Sequence, residues 1–332
     1  MTAIEAIAGV ALVQGRSAMT TTDPGTVLIT GPTGSLGRAA TLAMAGRPGS
    51  GRPDLLLVGR PGANLTGVAA AARAAGAVAH EIGCDLSRLA DVRAAATTAR
   101  DLLTSGGVRP LRGLVANAGL VSTDVRRASA DGYELTFAVN HLAHAQLIGD
   151  LLGSFATPGR IVLVGSDTYR AGRIKQLMGV QPARWRDPAE LAQPVPATAK
   201  AGLGDAAIAY STSKLAVLYY AHELQRRAGD AIGVSVFEPG WMPGTGLGRE
   251  APAALQVLGR GLQRLPGMAT PARSGPKLAS IVLDDQWAQL RGGAYVVIDK
   301  VDEQPGFAHD RERELRPWDT TADLLEKAAA AS

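Results

Sequence analysis

Hydrophobic and polar positions divide most of the chain into short apolar segments and longer amphipathic ones. The first apolar segment, Thr26-Val27-Leu28-Ile29-Thr30, stops at Gly31 and is followed by a helical pattern from Leu36 to Ala45. This order predicts a strand, a tight turn and a helix. Similar apolar segments predict further strands, at residues 54–58, 78–82, 113–116, 160–164, 233–237 and 294–298. Ala-rich or amphipathic stretches separate most of them, so we expect an α/β fold with a doubly wound parallel sheet covered by helices on both faces.

One interval, residues 167–209, is too long for a plain connection in a compact domain. It contains four prolines and, near its end, two glycines. We predict an insert that lies over a binding cleft as a substrate lid, and a surface excursion without function is the alternative. A mixed-charge tail at residues 302–317 precedes a predicted final helix at residues 321–330. Residues 25–330 are expected to form one domain, and residues 1–24 a mobile extension in which Met19 is an alternative start.

Composition excludes several classes of protein. Of the 332 residues 46% are hydrophobic and 19% charged, which excludes a disordered chain. The single cysteine cannot form an intrachain disulfide, so we expect a cytoplasmic protein. The net charge is only +4 and the basic residues are scattered, which gives little support for nucleic-acid binding. The apolar run at residues 4–13 is too short to cross a bilayer, so no signal peptide or membrane span is predicted.

The turn Thr30-Gly31-Pro32-Thr33-Gly34-Ser35-Leu36-Gly37 stands directly between the first strand and the first helix. Gly31 permits a tight turn, Gly34 or the small Ser35 lets the backbone approach a pyrophosphate, and Gly37 allows the helix to pack closely on the strand. A glycine-rich turn can also occur without a ligand. In this context we predict a Rossmann-type dinucleotide site, with contacts from Gly31, Thr33, Gly34, Ser35, Leu36 and Gly37.

Two arginines favour a particular nucleotide. Arg60 ends the second strand, where an acid would bind both ribose hydroxyls and an arginine would instead pair with a 2′-phosphate. Arg38 directly follows Gly37 and could add a second positive charge at the same phosphate. Each arginine alone is more often a solvated surface residue. Their placement together predicts NADP(H) rather than NAD.

The next two predicted strands end in small or acidic residues that are expected near the adenosine. Asp85 and Leu86 follow the third strand, where a short acid can reach the adenine amino group. The fourth strand leads into Asn117-Ala118-Gly119, small residues that let the ribose pass. Asn117 could alternatively bond the neighbouring strand. We interpret Cys84 as a small buried apolar group.

The most specific motif is Tyr210-Ser211-Thr212-Ser213-Lys214, at the start of a predicted amphipathic helix. Residues four apart share one helical face, so the Lys214 ammonium can lie near the Tyr210 phenol. A nearby cation lowers the pKa of a tyrosine from its usual ~10, as a proton donor or acceptor requires. Tyr-x-x-x-Lys alone is a common accident. Here it follows the glycine turn and a strand ending in Val164-Gly165-Ser166.

Together these residues resemble the short-chain dehydrogenase/reductase family from about Thr26 to Leu325. The family motifs occur in order, at Thr30 to Gly37, Asp85, Asn117-Ala118-Gly119, Asn140, Ser166, Tyr210 with Lys214, and Pro239-Gly240. Residues 131–142, Gly244-Thr245-Gly246-Leu247 and the long insert are similar to the retinol dehydrogenase and protochlorophyllide reductase branch. Two positions depart from the pattern. Ser35 stands where many members carry glycine, and Trp241 where protochlorophyllide reductases carry a cysteine thought to serve protonation.

The resemblance implies a role for each motif residue. NADPH would carry the hydride, Tyr210 would protonate the developing alkoxide, and Lys214 would tune Tyr210 and hold the nicotinamide ribose. Ser166 would bond the substrate oxygen, and Asn140 would fix a water that links Lys214 to solvent. Further cofactor contacts are implied for Pro239, Gly240 and Thr245. Trp241 is expected to line the substrate pocket, with a core position as the alternative.

The predicted function is NADPH-dependent interconversion of a ketone or aldehyde and an alcohol on a bulky, largely apolar substrate. One alternative is reduction of a C=C bond in a conjugated ring, against which Trp241 argues. Another is a regulator that binds NADP without turnover, against which the complete set of four catalytic residues argues. No metal is predicted, because His141 and His144 lack further ligands and are expected to serve packing. In relatives the helices that hold Asn140 and Tyr210 commonly form a dimer interface, so a homodimer is expected by analogy.

Overall fold

The computed structural model describes residues 23–177, 179–242 and 268–331. Their strands are β1 Thr26–Thr30, β2 Asp54–Gly59, β3 Ala79–Gly83, β4 Leu111–Ala116, β5 Phe155–Val164, β6 Ile232–Glu238, β7 Ala294–Val297 and β8 Lys300–Val301. They form one sheet in the order β3-β2-β1-β4-β5-β6-β7-β8. All neighbours are parallel except β8, which pairs antiparallel with β7. The predicted doubly wound parallel sheet is therefore confirmed. Residues 1–22, most of the predicted extension, and the Gly244-Thr245-Gly246-Leu247 motif lie outside the described residues.

Helices cover both faces of this sheet. They are α1 Ser35–Ala45, α2 Ala63–Ala74, α3 Leu89–Thr104, α4 (Leu135–Phe137, a π-helical segment Ala138–Leu142, and Ala143–Leu151), α5 Arg173–Leu177, α6 Pro188–Leu191, α7 Leu203–Ala228, α8 Pro271–Leu283 and α9 Arg311–Ala330. Side chains alternate between the faces along each strand. Val27 and Ile29 accordingly pack with α1, α2 and α8, whereas Leu28 packs with α3, α4 and α7. No helix in these described ranges is long and apolar enough to cross a membrane.

The last helix, α9, begins well before the predicted start at residue 321. Asp310 caps it by accepting hydrogen bonds from the backbone N–H groups of Glu312 and Arg313, at 3.1 and 3.2 Å. Pro317 lies inside the helix. A side chain that caps a helix satisfies N–H groups that would otherwise lack partners, so the helix can start in a segment that composition alone marks as a loop.

Helix α9 packs on α4 and α7. The Tyr133 hydroxyl, just before α4, donates to the Leu324 carbonyl at 2.7 Å, and the rings of Tyr220 and Trp318 stack with centroids 5.1 Å apart. His141 in α4 shares a hydrogen bond of 2.7 Å with the Thr321 hydroxyl. The helices that relatives use for dimer formation are thus covered in part by this chain's own C-terminal helix. The homodimer stays a prediction.

Buried carboxylates hold α9 to α7. Glu314 bonds His222 at 2.7 Å and pairs with Arg226. His309 stacks on His222 with ring centroids 5.0 Å apart and planes 10° apart, so potential metal-ligating atoms of His222, His309 and Glu314 lie within 4.8 Å of one another. Parallel rings direct their nitrogen lone pairs side by side rather than toward one point, and Glu314 is already paired. We therefore interpret the cluster as an ionic attachment of α9.

The predicted insert, residues 167–209, is attached to the body at positions that follow α5. The Ser211 hydroxyl donates to the Gln181 carbonyl at 2.6 Å, and the Val195 N–H donates to the Val125 carbonyl at 3.0 Å. Helix α5 differs, because Leu177 at its end is 89% exposed. The part of the insert that can serve as a lid is therefore α5 and its surroundings, and the lid itself stays a prediction.

Candidate active site

The glycine turn after β1 requires glycine at two of its positions. Gly31 has φ +64°, and a Cβ added to Gly37 would lie 2.3 Å from the Gly31 carbonyl oxygen. The Asn117 amide donates to the carbonyls of Thr30 and Gly31, at 2.8 and 3.2 Å. Asn117 therefore fixes the turn from β4, in agreement with the alternative that it bonds the neighbouring strand. The tight turn and close helix packing expected from the sequence are both present.

The beginning of α1 can receive an anion. Its N-cap is Gly34, no side chain caps the helix, and no acidic residue occurs in the first turn. The backbone N–H groups at the start of the helix and its positive dipole end are therefore open to a phosphate. Thr33 and Ser35 are exposed at this end, whereas Leu36 and Gly37 are buried against the sheet.

Arg38 and Arg60 are both exposed, and neither forms an ion pair within the described residues. Arg60 directly follows the end of β2. The Gly31 N–H donates to the Val58 carbonyl at 2.9 Å, which places the end of β2 beside the glycine turn. Two arginines without carboxylate partners thus flank the turn, as an NADP phosphate site requires.

The loops after β3 and β4 lie at the same edge of the sheet as this turn, and the loop after β4 contacts it. One oxygen of Asp85 accepts from the N–H and the hydroxyl of Ser87, at 3.0 and 2.8 Å. The Ala118 N–H donates to the Thr30 hydroxyl at 3.0 Å, and Leu86 and Gly119 continue the two loops. Burial raises the pKa of the Cys84 thiol to about 12, consistent with its interpretation as a small buried group.

Tyr210, Ser166 and Lys214 come together at the carboxyl end of β5. Tyr210, on α7, lies beside the Ser166 side chain, and the residue keeps part of its surface exposed. The Lys214 ammonium lies 5.8 Å from the centroid of the Tyr210 ring and is almost fully buried. It donates to the Val164 carbonyl at 2.7 Å. The predicted pairing on one helical face is therefore present.

The electrostatics of this group differ from the expectation for Tyr210. Burial and the charge of Glu238 raise the pKa of Tyr210, and the adjacent Ser166 side chain opposes this shift. Burial lowers the pKa of Lys214 to about 8, while Glu238 opposes that change. The protein alone therefore keeps Tyr210 protonated, as a proton donor must be, and does not lower its pKa as the spacing predicts.

Asn140 lies in the π-helical segment of α4. Its carbonyl oxygen accepts from the Leu120 N–H at 2.9 Å, and its amide nitrogen donates to the Leu120 carbonyl and the Ser213 hydroxyl, each at 3.0 Å. Ser213 in turn donates to the Tyr210 carbonyl at 2.7 Å. The Asn140 amide thus joins the loop after β4 to the helix that holds Tyr210. Such π-helical segments often occur at functional sites.

The neighbouring histidines serve packing, as expected. His144 shares a hydrogen bond of 3.0 Å with the Thr30 hydroxyl, and the His141 ring lies between those of Phe137 and Tyr220. Burial lowers the pKa of His141 to about 3 and that of His144 to about 4, so both rings are neutral near pH 7.

The loop after β6 closes the site. Gly240 has φ +83°, and the Pro239 carbonyl accepts from the Ser274 hydroxyl at 2.6 Å. Trp241 is 38% exposed, so the alternative of a core tryptophan is wrong. Thr245 lies outside the described residues. Sequence reasoning missed Glu238, which is buried at the end of β6; its only local signal is an acidic residue directly before Pro239-Gly240.

Known proteins share these features. Residues 25–178 match the short chain dehydrogenase family. Protochlorophyllide reductase A of Oryza sativa subsp. japonica is 30% identical over 326 residues, which cover 91% of this chain and 80% of that one. A Streptomyces sp. (strain C5) protein, named for daunorubicin C-13 ketoreductase activity, is 36% identical over 216 residues, 65% of each chain. A short chain dehydrogenase from Burkholderia cenocepacia J2315, in complex with NADP, has a TM-score of 0.60 at 20% identity, covering 84% of this chain and 98% of that one.

The chain therefore belongs to the short-chain dehydrogenase/reductase family of enzymes. Within that family it is similar to the protochlorophyllide reductases, which confirms the branch predicted from the sequence. The chain spans 65% of the length of the Streptomyces relative.

Proposed function

We propose that the protein is an NADPH-dependent oxidoreductase that interconverts a ketone or aldehyde and an alcohol, with Tyr210 as general acid and base. The observation that carries this proposal is the Tyr210 group. The Tyr210 side chain lies beside that of Ser166, and the Lys214 ammonium lies 5.8 Å from the centroid of the Tyr210 ring. A proton donor, a second hydroxyl for the substrate oxygen and a buried cation are the parts that carbonyl reduction needs.

The residues of the glycine turn fit NADP(H). Gly37 lies so close to the turn that a Cβ added to it would be 2.3 Å from the Gly31 carbonyl oxygen. The start of α1 carries no capping side chain. Arg38 and Arg60 supply positive charge without an ion pair in the described part of the chain. A negatively charged pyrophosphate and a 2′-phosphate would satisfy both features. The Burkholderia short chain dehydrogenase, which has this fold, forms a complex with the same cofactor.

Each residue of the group has a proposed task. NADPH, when bound, supplies the hydride. Tyr210 donates the proton to the substrate oxygen, and Ser166 orients that oxygen. Lys214 stabilises the negative charge left on Tyr210 and binds the nicotinamide ribose. Asn140 positions α7 through Ser213, because its amide groups are already bonded within the protein.

We propose a bulky, largely apolar substrate. Trp241 follows Gly240 at the carboxyl end of β6 and is 38% exposed, so its ring can form an apolar wall. The Streptomyces relative, named for a ketoreductase activity, supports a carbonyl group as the reacting centre.

Reduction of a C=C bond in a conjugated ring is the second candidate. The observation that favours it is the similarity to protochlorophyllide reductase over 91% of this chain. Trp241 argues against it, because an indole has no acidic proton to give where those enzymes carry a cysteine. A regulator that binds NADP without turnover is a third candidate, and the complete set of catalytic residues argues against it.

Deuterium transfer from labelled NADPH distinguishes the three candidates. The protein is incubated with a panel of bulky ketones, aldehydes and conjugated ring alkenes, and products are analysed by mass spectrometry and NMR. We expect deuterium on the former carbonyl carbon. Deuterium on a saturated ring carbon would favour the second candidate. Binding of NADPH with no labelled product from any compound would favour the third.

A further inference from the structure

Glu238, at the end of β6, is a buried carboxylate whose two oxygens both have backbone partners. It is 4% exposed. One oxygen accepts from the N–H of Asp167 at 2.8 Å, and the other from the N–H of Gly240 at 3.1 Å. A single side chain therefore connects the loop after β5 with the loop after β6.

Both partners adjoin residues of the proposed site. Asp167 directly follows Ser166, whose side chain lies beside Tyr210. Gly240 directly precedes Trp241 and has φ +83°. A carboxylate that holds both N–H groups fixes the distance between the two loops, since each bond restricts one loop.

The charge of Glu238 acts on the same site. Within the described residues it forms no ion pair, because Lys175, whose charge attracts it, pairs with Asp167 instead. The titratable groups that face it come from α7, from the loop after β5, from α5 and from β7; they are Tyr210, Lys214, Asp167, Tyr169, Lys175 and Tyr295. Burial, as the largest cause, and repulsion from Asp167, as the second, raise the pKa of Glu238 to about 7.

We propose that Glu238 is a positioning residue that joins the Ser166 loop to the Gly240 loop and places a negative charge near Tyr210 and Lys214. This inference rests on the proposed function of Tyr210. A negative charge opposes formation of the phenolate and favours the protonated lysine, so it acts on Tyr210 and Lys214 in the same direction.

The pH dependence of kcat for carbonyl reduction tests the charge. Reduction needs both Tyr210 and Lys214 in their protonated forms, so kcat falls at high pH as either group loses its proton. Glu238→Gln keeps the size of the side chain and removes its charge, and it also loses one of the two backbone bonds, because its amide nitrogen cannot accept from an N–H group. We expect the alkaline limb of the profile to move to lower pH by on the order of one unit. A limb in the wild-type position would overturn the inference.

Glu238→Asp tests the bridge separately. It keeps the charge, but the carboxylate is one methylene too short to reach both N–H groups. We expect the alkaline limb to stay near its wild-type position while kcat at the optimum falls several-fold. If Glu238→Gln does not fold, Glu238→Asp alone decides. An unchanged kcat in Glu238→Asp would contradict the proposal, and so would an alkaline limb displaced by a full pH unit.

Glu134 provides a matched control. It is equally buried, at 4% exposure, and it also accepts from two backbone N–H groups, those of Thr136 and Phe137, at 3.0 and 2.7 Å. It caps α4 and does not act on Tyr210. Glu134→Gln should therefore lower stability without displacing the alkaline limb. An equal displacement in both variants would show a general structural effect and overturn the inference.

The inference and the proposed function can fail separately. If Tyr210→Phe abolishes turnover while Glu238→Gln leaves the pH profile unchanged, only the role of Glu238 is removed. If Tyr210→Phe turns over normally, the proposed function is wrong, whatever the Glu238 variants do.

Discussion

The Lys214 ammonium donates to the backbone carbonyl of Val164 across 2.7 Å, which ties α7 to the end of β5. Val164 precedes Gly165 and Ser166, so this bond also fixes the loop that places the Ser166 hydroxyl beside Tyr210. At 4% exposure, Lys214 is largely shielded from solvent. One buried cation thereby sets the position of both hydroxyls of the proposed site.

Lys214→Met should lose both turnover and NADPH affinity. The substitution keeps the length of the side chain and removes its charge, the bond to Val164 and the proposed contact with the ribose. A charge-assisted hydrogen bond contributes roughly 1.5–3 kcal/mol, so affinity should fall by about tenfold or more. Steady-state kinetics and a fluorescence titration with NADPH measure the two effects. Unchanged affinity would remove the proposed ribose contact.

Arg60→Asp should weaken NADPH binding by about tenfold to more than a hundredfold and leave NADH binding much less affected. The reason is loss of the 2′-phosphate partner together with new repulsion. Lys200→Asp is the control, because it makes the same change of charge at an exposed position of the insert. Both nucleotides are titrated against each variant. An equal loss for NADPH and NADH in Arg60→Asp would exclude this arginine from the phosphate site.

Helix α5 and the part of the insert that follows it should respond differently to substitution. Replacing Arg173–Leu177 by a Gly/Ser segment of equal length should lower turnover and leave both NADPH affinity and the unfolding transition nearly unchanged. Trp185→Ala should instead lower the free energy of unfolding, on the order of 2 kcal/mol, because the Trp185 ring packs edge-on against Tyr219 with centroids 4.8 Å apart. Normal turnover after replacement of α5 would contradict the lid.

His141 should make the protein sensitive to acid. Burial lowers its pKa from 6.5 to about 3, so the folded protein favours the neutral ring. Its contribution is complete above pH 6.5 and is lost as the pH falls toward 3, since only the unfolded chain takes up the proton. His141→Phe should reduce the slope of unfolding free energy against pH between 6 and 4 by about 1.4 kcal/mol per unit.

Urea unfolding at several pH values measures this slope. Tyr220→Phe is the control, because it alters packing beside His141 without removing a group that titrates in acid. A slope that is the same in His141→Phe and in the wild type would show that His141 is not kept neutral by folding.

The features that could be predicted from the sequence are those that depend on residues close to one another along the chain. The apolar pattern located β1 to β7, and the glycines of the first turn and the Tyr210–Lys214 spacing located the site. The two-residue β8 was too short for such a pattern, and Pro317 concealed the early start of α9.

Contacts between distant parts of the chain could not be predicted in this way. Glu238 acts on Asp167, which lies 71 positions earlier, and Asn117 holds a turn 86 positions before it. The rise in the pKa of Tyr210 has the same origin, because burial and the charge of Glu238 depend on how the strands and α7 assemble. Neither the burial of Tyr210 nor the charge of Glu238 can be inferred from the spacing of Tyr210 and Lys214 alone.

Turnover by Tyr210→Phe tests the central claim most directly. The variant keeps the ring and the helix and removes the hydroxyl that is proposed to exchange a proton with the substrate. General acid and base groups contribute about 10² to 10⁴ in rate, so turnover should fall by at least this factor while NADPH affinity, measured by fluorescence titration, changes little. Near-normal turnover on the true substrate would contradict the reductase mechanism and would favour ring reduction with another proton donor.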